Sequence, residues 1–360
     1  MRRTFLCALG LALAMQTCYV CAQPTPNPAL LVLSKQDHTL AIVDPTNFHV
    51  AARIPVGDDP HEVIASADGS TAYVSNYGFG AFHTIAVIDL LGQKPLPAID
   101  LGALRGPHGL TFVDGKLWFT AEAAKVIGRY DPATAKIDWI MGTGQDRTHM
   151  VYVFPGAQRI LTTNVSSATV TIMDRVEGRA GGPPPGMQPP TGMPPPGPGG
   201  PQPGGPGFRP PSADWHLTVI PVGRGSEGFD VSPDGKEAWV ANAGDGTVSI
   251  LDLVQKKVTA TLAVNVSGAN RLKFTPDGKL VLVSAGPDLV VLDAVTHKEV
   301  KRLTTGHGSG GIQMQPDGAR AYESCGPDGY VAVIDLKTLG VVGHIDAGGG
   351  PDGMAWAVRQ

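Results

Sequence analysis

A pattern that returns about every 42 residues constrains this chain more than any other feature. One copy begins "PHEVIASADGSTAYVSNYG" at Pro60, continues "TIAVIDL" and ends "LPAIDLG". The next opens "GPHGLTFVDGKLWFT" at Gly106, and a third "THMVYVFPGAQRILTTN". Later copies open "SEGFDVSPDGKEAWVANAGDGTVSILDL", "ANRLKFTPDGKLVLVSAGPDLVVLDA" and "SGGIQMQPDGARAYESCGPDGYVAVIDL". The units end at Gly57, Gly102, Gly144, Gly223, Asn265, Gly306 and Gly348. Only the step from Gly144 to Gly223 is longer, and it holds an insert. Self-similarity at such a period means stacked supersecondary units that bury their faces against one another.

Each unit holds four short β-branched runs separated by Asp-Gly, Pro-Asp-Gly or Asn/Gly turns, which are hairpin signals. No unit shows a 3.6-residue apolar period. Four antiparallel strands per unit predict a propeller blade, and an all-β chain. The C-terminal "GGGPDGMAWAVRQ" supplies only a first strand. The N-terminal "ALLVLSKQ", "TLAIVDP" and "HVAARIPVG" supply strands two to four. Six complete units plus this composite predict seven blades, with the last strand closing the ring so that no sheet edge is left open.

The stretches "SPDGKEAWVANAGDGTVSILDL" and "GSTAYVSNYG" resemble the YVTN-type repeat of exported bacterial seven-bladed propellers. The likeness spans nearly the whole of residues 23–360 outside the insert and implies the propeller fold and export, the relatives being mostly exported proteins of unassigned binding role. The single stretch "GPHGLTFVDGKLWFTAEAAKVIGRYDPATAKI" also resembles a blade of the streptogramin B lyase group. That resemblance implies a seven-bladed, metal-dependent lyase. Those enzymes draw catalytic residues from later blades, where this chain places Glu227, Asn270 and Gly310.

Residues 1–22 read as a secretory signal peptide, with Arg2 and Arg3 before an apolar run and Val20-Cys21-Ala22 before the cut. The expectation is a periplasmic or secreted protein without a membrane span. Three of the four cysteines fall in that leader, so Cys325 alone remains and no internal disulfide is predicted. Formal charge moves from −4 to −6 once Arg2 and Arg3 are gone, and no basic stripe suits nucleic acid. Residues 178–212 carry 14 of the 32 prolines and almost no aliphatic side chain. They predict a disordered or polyproline-like insert between the third and fourth strands of blade 3, either an expanded surface loop or a docking tether.

Aligning the starts of the innermost strands brings His61, His108, His149, Glu227, Asn270, Gly310 and Asp352 to one column. In a propeller these positions crowd one end of the central channel. Loops on the same face contribute His38, His83, Glu122 and His307. Imidazoles and carboxylates together suit zinc, copper or iron, and His61, His108 and His149 form the candidate ligand set, with an open position left over. Without a metal, a histidine beside Glu227 or Asp352 would suit general-base chemistry.

His49, His216, His297 and His344 read as surface residues, and Trp118, Trp239 and Trp356 as packing between blades. Glu323 replaces the Val or Phe of sibling units; it is expected either to face the channel and join the site or, the favoured reading, to pair with a basic side chain on the next blade. Cys325 reads as a small buried filler.

Two functional classes follow. One is a binding or scaffold propeller whose channel mouth receives a metal, a small ligand or a partner protein. The other is a metal-dependent lyase or lactone hydrolase acting on a cyclic ester. An electron-transfer accessory would need a haem or quinone partner, and no Cys-x-x-Cys-His motif is present.

Overall fold

The computed structural model describes residues 23–176 and 214–359. They form seven sheets of four antiparallel strands, a seven-bladed propeller with only three short 3-10 turns among the described residues. The leader 1–22 and the insert 178–212 lie outside the described residues. The strands that flank the insert, Thr169–Val176 and Asp214–Pro221, pair in full register from Thr169–Pro221 to Val176–Asp214.

Blades 1 to 6 begin with innermost strands Pro60–Ala65, Pro107–Val113, Thr148–Val153, Ser226–Val231, Ala269–Phe274 and Ser309–Met314. Blade 7 is the composite. Its innermost strand Pro351–Ala357 pairs with Ala29–Ser34, matching Leu30 to Trp356 and Val32 to Met354.

The strand Ala29–Ser34 shows why the blades stack. All six of its residues are buried. Leu31 and Leu33 pack towards blade 1 with Val63, Val74 and Ile88. Leu30 and Val32 pack towards blade 6 with Tyr322, Val331 and Val333. Successive side chains of a strand point to opposite faces, so one strand feeds two interfaces. Each such leucine contributes about 1.5–3 kcal/mol by leaving water. Trp118 joins Val151 and Val153 of blade 3, and Trp239 joins Phe274 and Val281 of blade 5. Trp356 packs beside Tyr322 and donates its indole N–H to the Met314 carbonyl of blade 6 at 2.6 Å. All three tryptophans therefore lie between blades.

Every innermost strand breaks register at the same place. The shifts fall between Pro60 and Val63, Pro107 and Leu110, Thr148 and Val151, Ser226 and Phe229, Ala269 and Leu272, and Ser309 and Ile312. Blade 7 shifts against Val32 and Ser34. A bulge re-aims side chains and bends the strand. Each bulge here contains the polar-column residue and the residue after it.

Side-chain hydroxyls tie neighbouring bulges together. Thr120 Oγ1 accepts from the Gly109 N–H at 2.9 Å and donates to the His149 carbonyl at 2.6 Å. Ser284 does the same between the Arg271 N–H and the Gly310 carbonyl. Thr163 reaches the Glu227 carbonyl and Ser324 the Asp352 carbonyl. Backbones approach closely here: a Cβ on Gly109 would lie 2.6 Å from the His149 carbonyl oxygen.

Glu323 departs from the sequence expectation. It lies on the face of blade 6 that packs against blade 5, and no basic side chain pairs with it among the described residues. Both carboxyl oxygens are buried without a hydrogen-bond partner. Its register neighbours are Ile312 and Ala332, both apolar. Burial pushes its pKa up to about 7, with Asp288 adding like charge. Cys325 is 1% exposed, and burial raises its thiol to about 12, so it is an inert filler.

Candidate functional site

The bulges deliver the polar column into a cavity of about 740 Å³ at one end of the channel. His61, His108, His149, Glu227, Asn270, Gly310 and Asp352 all line it. The three imidazoles form a contiguous row. Ring centroids of His108 and His149 are 3.8 Å apart, and those of His61 and His108 are 4.7 Å apart. Tyr77 stands edge-on to both His61 and His108.

His149 is almost fully buried between two carboxylates. Its Nδ1 lies 2.5 Å from Glu122 Oε1, and its Nε2 lies 2.8 Å from Glu227 Oε2. The second contact is a Coulomb contact, because Nε2 lacks an aligned hydrogen bond. Burial opposes charging of His149, but the two carboxylates outweigh it and raise its pKa. Glu227 is held down to about 2 despite its own burial, chiefly by His149. Glu122 also accepts from Tyr77 Oη at 2.5 Å and lies 3.5 Å from Arg147 Nε.

His108 behaves in the opposite way. It is 1% exposed, and its Nδ1 has no partner. Burial, with the charges of His149 and His61 added, pushes its pKa well below the ordinary histidine value. It is a neutral imidazole with a free lone pair or N–H inside the site. Ligand atoms from His108, Glu122 and His149 all lie within 4.8 Å of one another. Ligands bonded at ~2.1 Å stand no more than ~4.2 Å apart, so an ion would draw these side chains slightly together.

His61 is committed elsewhere. Lys35 Nζ donates to its Nε2 at 2.7 Å, and its Nδ1 is 3.2 Å from Asp352 Oδ2. Lys35 also lies 3.0 Å from Asp352. Those contacts hold Asp352 far below the usual carboxylate range in spite of burial. The tight ligand group therefore exchanges His61 of the sequence reading for Glu122.

Four groups escaped the sequence reading: Lys35, Tyr77, Arg147 and the pair Glu62 and Arg271. Glu62 and Arg271 occupy the second residue of their bulges, where blades 2, 4, 6 and 7 carry Gly109, Gly228, Gly311 and Gly353. Blades 1 and 5 are not neighbours, so the Arg271–Glu62 ion pair crosses the channel axis. Arg271 also donates to the Asn270 side-chain oxygen at 2.7 Å. The signal was present in the sequence as a departure from glycine one position after the column.

His38, His83 and His307 share the face but do not line the cavity. His38 and His307 are exposed and His83 is half-buried, and each is held by a local aspartate: Asp58 at 2.7 Å, Asp100 at 2.8 Å and Asp328 at 2.7 Å. They sit on loops, further from the axis than the bulges. Among the four histidines read as surface residues, His49, His216 and His344 are exposed, whereas His297 packs edge-on against Trp239.

No protein-family model and no curated protein matches the sequence. Solved structures do match over nearly the full length. A functionally unknown protein from Desulfotomaculum acetoxidans aligns with 14% identity, 93% of this chain, 100% of that chain and a TM-score of 0.68. Hydrazine synthase of Kuenenia stuttgartiensis aligns with 16% identity, 91% and 99% coverage and a TM-score of 0.66. A Bacteroides fragilis protein described as a "putative 6-phosphogluconolactonase" aligns with 16% identity, 92% and 98% coverage and a TM-score of 0.65. At these identities the likeness shows the fold: this chain is a seven-bladed β-propeller.

Proposed function

We propose that this protein is an exported binding propeller that holds one divalent transition metal, of the zinc, copper or iron class, through His108, Glu122 and His149. The metal would face a small ligand in the adjoining cavity. The observation that carries this reading is the buried, unpartnered Nδ1 of His108 close to Glu122 and His149; to ligate, His149 would give up the proton it shares with its carboxylates. Glu62 pairs with Arg271, Asp352 with Lys35, and Glu122 and Glu227 share Arg147 and His149. A divalent cation would supply the positive charge that the His149 proton now supplies to Glu122 and Glu227. The YVTN-type repeat resemblance and the leader-like residues 1–22 support export.

Purified protein is expected to contain close to one transition metal per chain by elemental analysis. His108→Ala and His149→Ala should each abolish it while the thermal transition stays cooperative, and His61→Ala should retain it. Protein that carries none, even after loading with zinc or copper, would overturn the reading.

A second reading is a metal-dependent lyase or lactone hydrolase acting on a cyclic ester. It is favoured by the cavity that opens beside the ligand group. A bound metal supplies carbonyl polarisation or a water of lowered pKa. In that case Glu227, freed of the His149 proton that holds it at about 2, would take a proton from the attacking water and return it to the ring oxygen as the ester C–O bond breaks, and Arg147 would orient Glu227 at 3.7 Å. Hydrolysis of a lactone panel that a chelator abolishes and Glu227→Gln removes would favour this reading; no turnover leaves the binder.

A further inference from the structure

One cavity-lining residue is unlike the rest. Phe79 is 91% exposed, the most exposed large apolar side chain among the described residues. A single exposed apolar residue is ordinary on a protein surface. This one is not on a loose loop. It sits in the short turn Gly78–Gly80 with a positive φ of 50°, a conformation that residues with a Cβ rarely adopt. The Gly78 N–H donates to Asp59 Oδ2 at 2.8 Å, and the Gly80 N–H to the Tyr77 carbonyl at 3.1 Å. A Cβ on Gly78 would strike the Phe82 ring, so the turn is packed from beneath.

The turn is also rooted in the proposed ligand group. Tyr77, two residues before Phe79, donates its hydroxyl to Glu122 at 2.5 Å. The rings of Tyr77 and Phe79 lie 6.2 Å apart. An aromatic series, His108 to Tyr77 to Phe79, thus runs from the metal ligands to the rim. Elsewhere around the cavity, blade 6 contributes Gly308, Gly310 and Pro327, which leave room where other blades project side chains.

We infer that the cavity takes a small aromatic chelator, a ligand that offers two oxygens to the metal and lays its ring against Phe79. This rests on the metal reading above. An aromatic ring presented at the cavity rim on an ordered turn gains most when a second ring covers it, because aromatic pairs exceed plain area burial. The volume suits a ligand of that size, since small-molecule sites occupy about 300–1,000 Å³.

The test uses zinc-loaded full-length protein and two probes. Salicylate and 3-hydroxypropanoate offer the same spacing of oxygens, but only salicylate carries a ring. Calorimetric titration should show Phe79→Ala weakening salicylate about tenfold while 3-hydroxypropanoate is unchanged. Phe79→Tyr, which keeps the ring, should bind salicylate as the parent does. Zinc content is measured after each titration. Protein that holds zinc but binds neither probe, or loses both equally in Phe79→Ala, overturns the inference alone. Protein that never holds zinc overturns the metal reading instead.

Discussion

At the residue scale, single departures from the repeat carry the information. Glu323 was visible because siblings place Val74, Phe119, Val240 and Val283 there. Its lack of a partner was not visible, because that depends on which side chains of blade 5 face it. The consequence is a pH dependence. The carboxyl titrates near 7 in the folded protein and near 4.5 when exposed. Between those values the native state keeps a proton that the unfolded chain has lost, so stability falls as pH rises through that window. The loss amounts to about 3 kcal/mol by pH 7–8. Denaturant unfolding at pH 5 and pH 8 should show this difference, and Glu323→Val should shrink it by that amount. An unchanged difference in Glu323→Val would disprove the assignment. Lys35 and Arg147 escaped for another reason. Their long side chains reach the cavity from positions whose alignment with the column says nothing about reach.

At the element scale, the bulge is the working unit. The repeat showed where each innermost strand begins, and so placed His61, His108 and His149 side by side. It did not show the register shift that presents two residues rather than one, so Glu62 and Arg271 went unnoticed. His38, His83 and His307 were assigned to the right face, but loops cannot be ranked by distance from the axis without coordinates. The hydroxyl links test this unit. Thr120→Val strips one buried N–H and one buried carbonyl of their shared partner, costing ~1–3 kcal/mol. A lowered denaturation midpoint with unchanged slope should report it. A midpoint equal to the parent's would show that water or the backbone replaces the link.

At the scale of the whole molecule, the fold was legible because the architecture is periodic. Six units and two partial ends permit few arrangements, and the pairing of Pro351–Ala357 with Ala29–Ser34 is the one that joins them. Removing residues 351–360 should leave Leu30, Leu31 and Val32 with one bare hydrogen-bonding side, and take Asp352 from the site. Size-exclusion chromatography and thermal melts should find aggregation or a broadened transition. A truncated chain that melts as sharply as the parent would mean the ring does not depend on that clasp. The Arg271–Glu62 pair has a different consequence, for traffic. Because it spans the axis, and Arg271 also lines the cavity, the pair stands across a straight path down the channel. A molecule entering at the rim therefore meets a charged bar at the level of Arg271, and a partner seated over that rim would cover the way in.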